Sequence, residues 1–127
     1  MIKHVLMLFL FAGVAQAETQ QQILDSLVAQ AGPASAARGE KLFRAKVSGG
    51  KTADSCTACH TDNAKAAGQH VKTNKTIDPL APVVQKDRFT DPAKVEKWFK
   101  RNCNDVLGRA CTAQEKADFA AYMISLK

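Results

Sequence analysis

The segment that decides the fold is Cys56-Thr57-Ala58-Cys59-His60, a C-x-x-C-H motif in a chain of 127 residues. This spacing is the attachment signature of a c-type haem. Two thiols three positions apart on one helical turn can each form a thioether to a haem vinyl group, and the adjacent histidine then lies under the iron. The motif predicts one covalent haem, held by Cys56 and Cys59, with His60 as the first iron ligand.

Residues 1–17 have the order of a secretory signal. A short basic start is followed by an apolar run over residues 5–14 and by the small-x-small site Ala15-Gln16-Ala17. The apolar run is shorter than the roughly 20 residues that span a membrane as a helix. We therefore expect a cleaved signal at 1–17 and a single domain at 18–127, exported to the periplasm without membrane insertion.

Two other kinds of site use closely spaced cysteines. A thioredoxin-like redox dithiol is expected beside strands of a βαβ unit, and the chain has no convincing strand pattern. A zinc site needs a second ligand pair near a similar loop, whereas Cys103 and Cys111 are separated by a whole loop. An exported chain with the adjacent His60 favours haem over both.

The charge of the chain is moderately positive, with 18 Lys+Arg against 12 Asp+Glu. This balance suits docking to an acidic protein partner or an anionic surface. The basic residues are scattered and are accompanied by one Trp and one Tyr, so the sequence makes no case for nucleic-acid binding.

Helical periodicity and capping residues predict an all-α fold. The helix starts are marked by Ser35, by Asp91 before Pro92, and by a Thr112–Glu115 capping box. Gly39 is expected to let another helix approach closely, and the loop-rich segment 68–87 to wrap the haem. The predicted helices cover residues 18–31, 35–46, 56–65, 90–102 and 112–126.

The ligand on the other face of the iron decides the function, and the residues alone leave several candidates. Met123 is the only methionine after residue 17, but a methionine within a helix is more often core packing. His70 is a good ligand type, although an exposed loop histidine is the ordinary interpretation. Lys72 and Lys75 are weaker candidates.

Asn102 is a further candidate, four residues after Trp98 and so on the same helix face. The ordinary interpretation of Asn102 is a helix C-cap, and an amide is a poor iron ligand.

Seven stretches together resemble the sphaeroides haem protein (SHP) family of small bacterial class I-like cytochromes c with one haem. The resemblance covers nearly the whole chain after the signal and is far more specific than the haem motif alone. The matching stretches are residues 37–43, 55–60, 79–82, 87–91, 95–98, 101–104 and 108–118.

The resemblance implies Asn102 as the sixth iron ligand, with a Cys103–Cys111 disulfide beside it. Such a disulfide stabilises the fold by roughly 2.5 kcal/mol in the loop-entropy model and fixes the backbone near Asn102. The resemblance also implies that Asn102 leaves on reduction and opens a site for oxygen, nitric oxide or carbon monoxide. A dihaem cytochrome c, in an electron chain with a b-type cytochrome, is the implied redox partner.

We therefore expect a periplasmic monohaem cytochrome c that transfers electrons and binds diatomic ligands when reduced. One alternative is a closed low-spin carrier with His70 or Met123 as a permanent ligand. Another is a haem enzyme that reduces oxygen, peroxide or nitrogen oxides, with Trp98 and arginines in its pocket but no clear acid–base group. A proximal histidine usually donates to a carbonyl, and the expected partners of His60 are the carbonyls of Pro79, Leu80 or Ala81.

Overall fold

The computed structural model of the protein describes residues 17–127. The predicted signal therefore lies, except for Ala17, outside the described residues. Within them the chain is mainly helical, which confirms the all-α class, with one small antiparallel hairpin. The elements are α1 (Gln20–Ala31), α2 (Ala36–Arg44), α3 (Thr57–His60), β1 (Gly68–Gln69), β2 (Thr76–Ile77), α4 (Pro92–Leu107) and α5 (Ala113–Ser125).

The longer helices begin where capping residues predict. Ser35 accepts a hydrogen bond from the Arg38 amide at the start of α2, and Asp91 caps α4 ahead of Pro92. The Thr112–Glu115 capping box of α5 is present as expected. These caps satisfy backbone N–H groups that a helix leaves unpaired in its first turn.

The predicted helix ends were less accurate. Helix α4 continues past residue 102 to Leu107, because Gly108 at φ 71° provides the left-handed cap. Asn102 is therefore inside the helix, and its interpretation as a C-cap is wrong. Helix α3 stops at His60 rather than near residue 65, since Thr61 leaves helical geometry at φ 61°.

The sequence predicted no strands, and this was wrong for one short pair. Strands β1 and β2 are paired, with Gly68 opposite Ile77 and Gln69 opposite Thr76. Two-residue strands show no alternating pattern that a sequence could reveal. The hairpin forms part of the segment that was expected to be loop.

Helices α2 and α5 cross at Gly39, as expected. A Cβ at Gly39 would collide with the backbone of Asp118 and with Tyr122. Beside the crossing, Phe43 is fully buried and its ring packs against those of Phe119 and Tyr122. These rings belong to one of two core clusters. Helix α4 contributes to the other.

The second cluster packs α4 against α1 and α5 and thereby orients α4. Phe99 and Cys103 are buried in this cluster together with Ile23 and Leu27 of α1. Residues on the adjacent face of α4 then point away from the core. That face forms one wall of the cavity described next.

Candidate haem site

A cavity of about 680 Å³ lies between α3, the hairpin, the segment 77–91 and α4. Its volume falls in the range of cofactor and ligand sites. The structure brings all the site residues predicted from the sequence to its wall: Cys56, Cys59, His60, Trp98 and Asn102.

Cys56 and Cys59 are both half-buried and unpaired. Burial raises the pKa of the Cys56 thiol to about 11, and the nearby Cys59 also raises it. A redox dithiol needs the opposite, because a lowered pKa produces the reactive thiolate. The raised pKa of Cys56 therefore does not fit a redox dithiol.

His60 ends α3, and its backbone N–H donates to the Cys56 carbonyl. Burial and, to a smaller extent, the positive charge of Arg88 together lower the pKa of His60 to about 4. The imidazole is therefore neutral at pH 7 and offers a nitrogen lone pair to a metal.

Arg88 supports the segment beside His60, a role that sequence reasoning missed. Its guanidinium donates to the Pro79 carbonyl from Nε at 2.9 Å and to the Asp78 carbonyl from Nη2 at 2.9 Å. The backbone N–H groups that follow, at residues 80 and 81, donate to the Ala64 carbonyl at 3.0 Å. The carbonyls expected to orient His60 thus belong to a segment held at two points.

The other candidate ligands differ in position. Met123 is fully buried in the core beside Phe43 and is not part of the cavity wall. His70 lines the cavity, but its Nδ1 accepts the backbone N–H groups of Lys72 and Thr73, each at 3.2 Å. A neutral His70 then carries its proton on Nε2, which leaves no free lone pair for iron.

Lysines were the weaker candidates, and the structure separates them. Lys75 lines the cavity, whereas Lys72 does not. The Lys72 ammonium donates instead to the Lys51 carbonyl at 3.4 Å.

Trp98 and Asn102 lie one turn apart on the cavity face of α4. Lys97 and Arg101 lie over the Trp98 ring, at 5.8 and 5.6 Å from its centroid. Such cation–π contacts stabilise the position of the ring. Asn102 is the neutral polar side chain that α4 presents to the cavity.

Helix α4 is held on both sides of Asn102. The Cys103–Cys111 disulfide is present, with a Cα–Cα distance of 5.6 Å. On the other side, the backbone N–H groups of Thr52 and Ala53 donate to the Asp105 carbonyl at 2.9 and 3.2 Å.

The loop that makes this second contact is close-packed against α4. Thr52 Oγ1 donates to the Asp105 carboxylate at 3.1 Å. A Cβ at Gly50 would collide with the carbonyls of Ala53 and Val106. The Gly49-Gly50 pair is a sequence signal of this contact that the sequence analysis did not use. Because the loop continues to Cys56, it links the haem motif to the helix that carries Asn102.

Within residues 17–127 no group of three or more His, Cys, Asp or Glu side chains is placed to hold a metal ion. In the same residues no helix combines the length and the apolar character that crossing a membrane requires.

Comparison with known proteins identifies the family. A family model described as "Domain of unknown function (DUF1924)" matches residues 29–123. The cytochrome c-type protein SHP of Cereibacter sphaeroides is 46% identical over an alignment 127 positions long, which covers 97% of this chain and 98% of that protein. The chain belongs to this family of c-type cytochromes. It therefore carries one covalently attached haem c, and the two thiols and neutral imidazole in the cavity wall fit that group.

Two solved structures are similar. Oxidised SHP, described as an oxygen-binding cytochrome c, has a TM-score of 0.81 at 47% identity and covers 86% of this chain and 98% of that one. The solution structure of Methylophilus methylotrophus cytochrome c'', solved to explain haem-ligand detachment, has a TM-score of 0.70 at 36% identity. It covers 84% of this chain and 93% of that one.

Proposed function

We propose that Cys56 and Cys59 would anchor the haem, that His60 and Asn102 would ligate its iron, and that Asn102 would leave on reduction. The reduced protein then binds small diatomic ligands such as oxygen or nitric oxide, and it exchanges electrons with a redox partner. The observation that carries this proposal is that His60 and Asn102 line one cavity, with Asn102 on a helix fixed from both sides.

When bound, the haem would supply an iron that cycles between two charge states. The amide oxygen of Asn102 is a hard, neutral donor, so it suits the ferric state better than the softer ferrous state. We therefore expect reduction to weaken the binding of the Asn102 amide oxygen to the iron. The disulfide and the loop 50–53 keep α4 in place, so the same side chain remains near enough to return on oxidation.

The solved relatives support this proposal by their described properties. SHP is described as an oxygen-binding cytochrome c, and the cytochrome c'' structure concerns detachment of a haem ligand. Both properties belong to those proteins. Their extension to this chain rests on Asn102, whose amide faces the cavity that His60 also lines.

Electron exchange requires a partner. We propose an exported redox protein such as a dihaem cytochrome c, met in the periplasm after removal of residues 1–17. Without Lys3 the net charge falls from +6 to +5, which still favours a partner with an acidic docking surface, because complementary charge speeds association.

A closed electron carrier is the second candidate, with His70 as a permanent ligand. Its supporting observation is that His70 lines the cavity. The observation against this candidate is the pair of hydrogen bonds that His70 Nδ1 accepts in the turn 70–73. Both must break before the neutral ring can ligate iron through Nε2. Asn102 needs no such rearrangement and is the better candidate.

The test is the absorption spectrum of Asn102→Ala in both oxidation states. We expect the ferric protein to change from low-spin to high-spin while haem content stays constant. The matched control is Asn104→Ala, on the same helix but outside the cavity wall, which should keep the wild-type spectrum. An unchanged ferric spectrum in Asn102→Ala would contradict the assignment of Asn102.

A further inference from the structure

Arg88 is a half-buried cation in the wall of the haem cavity. Its two hydrogen bonds go to main-chain carbonyls, those of Asp78 and Pro79. Neutral acceptors satisfy the geometry of a guanidinium without cancelling its charge. Arg88 therefore combines a fixed position with a full positive charge.

No carboxylate neutralises Arg88 within residues 17–127. The ion pairs of the described chain use other cations: Arg38, Arg44, Lys46, Arg109 and Lys116. The neighbouring Asp87 carboxylate instead accepts from the Gln85 amide at 3.0 Å. The positive charge of Arg88 is thus available to act on the cavity.

Arg88 lines the same cavity as His60. The same guanidinium holds the carbonyl segment 78–79 on the His60 side of the cavity. One side chain thereby affects both the position and the electrostatics of the proximal side.

We propose that Arg88 is a positioning residue of the proximal ligand and that its positive charge raises the reduction potential of the haem. One-electron reduction removes one positive charge from the haem. A nearby fixed cation destabilises the ferric form more than the ferrous form, and partial burial limits the screening of this effect by salt.

The test compares Arg88→Gln with Arg88→Lys in the holoprotein by spectroelectrochemical titration. For Arg88→Gln we expect the equilibrium constant for reduction to fall about tenfold, which is about 59 mV for a one-electron couple. Arg88→Lys keeps the charge and should recover most of that loss. The control Lys41→Gln removes an equal charge from an exposed position on α2 outside the cavity wall and should leave the potential unchanged.

A second readout separates position from charge. A lysine ammonium does not reproduce the planar fork that serves two carbonyls. The iron–histidine vibration of the reduced protein should therefore shift or broaden in Arg88→Lys. An unchanged potential in Arg88→Gln, or an equal fall in Lys41→Gln, overturns the charge role. An unchanged vibration in Arg88→Lys overturns the positioning role and remains measurable if Arg88→Gln fails to fold.

The charge role of Arg88 needs a haem on His60 but does not need Asn102 to leave, whereas the iron–histidine vibration that tests the positioning role is read from a five-coordinate reduced haem. If the reduced wild-type protein shows no iron–histidine vibration because its haem is six-coordinate, ligand release by Asn102 is contradicted. The comparison of potentials between the Arg88 variants then still decides the charge role of Arg88.

Discussion

The two walls of the haem cavity are built from the chain in different ways. The His60 wall starts from five consecutive residues, 56–60, whose spacing alone implies the chemistry. The Asn102 wall is assembled from a helix, a disulfide to Cys111 and the loop 50–53, which are far apart in sequence. Local spacing therefore reveals the first wall, whereas the second depends on tertiary contacts.

Removal of each cysteine pair in turn should give the largest difference between the two walls. The double variant Cys56→Ala/Cys59→Ala removes both thiols of the His60 wall, so we expect complete loss of covalent haem, measured by the mass of the intact purified protein. Cys103→Ala/Cys111→Ala should retain covalent haem. Haem-bearing protein from the first variant, or none from the second, would break the assignment of the pairs.

Removal of the Cys103–Cys111 disulfide should weaken the Asn102 wall without emptying the site. We expect the free energy of unfolding to fall by about 2.5 kcal/mol, because the unfolded chain gains loop entropy. The ferric protein should also gain a high-spin fraction as α4 loosens around Asn102. Denaturant unfolding with parallel absorption spectra measures both, and a fully low-spin variant of unchanged stability would contradict the role given to the disulfide.

Gly50→Ala tests the loop that packs on the other side of α4. A Cβ there meets two carbonyls, so overpacking should cost about 1–3 kcal/mol and displace α4 relative to Cys56. We expect a partial rise in ferric high-spin signal with normal haem content. Lys51→Ala, at the exposed neighbouring position, is the control. Equal spectra in the two variants would show that this loop does not position Asn102.

The smallest effect concerns Asp118, at the α2–α5 crossing rather than in either wall. Burial acts to raise the pKa of Asp118, but hydrogen bonds from Arg38, Ser35 and Gln114 outweigh burial and lower it. A lowered pKa contributes stability above the unfolded value near pH 4, and this stability is lost as pH falls through the folded value.

Asp118→Asn should therefore reduce the dependence of unfolding free energy on pH below about pH 4, with the ferric haem spectrum unchanged at neutral pH. Urea titrations at several acidic pH values measure the slope. A slope equal to that of the wild-type protein would contradict the electrostatic account of this crossing.

Much of the fold follows from local signals. Ser35, Asp91 and Thr112 mark helix starts because each cap is satisfied within its own first turn. The predicted end of α4 was wrong because asparagine is a residue type that often caps helices. Only the geometry at Gly108 shows that the helix continues. Signals at helix ends are weaker than signals at starts, and tertiary packing decides between them.

The site divides in the same way. The motif identified Cys56, Cys59 and His60, but only the resemblance favoured Asn102 over the other candidate ligands, since an amide in a helix has no spacing that marks it as a ligand. Arg88 could not be predicted, because its partners are backbone carbonyls nine and ten residues earlier that leave no mark on the sequence.

The most direct test of the central claim is the absorption spectrum of the reduced wild-type protein before and after addition of carbon monoxide. Release of Asn102 predicts a high-spin reduced form whose spectrum shifts when carbon monoxide is added. A low-spin reduced form that ignores carbon monoxide would contradict the account and would indicate a closed electron carrier with a permanent sixth ligand.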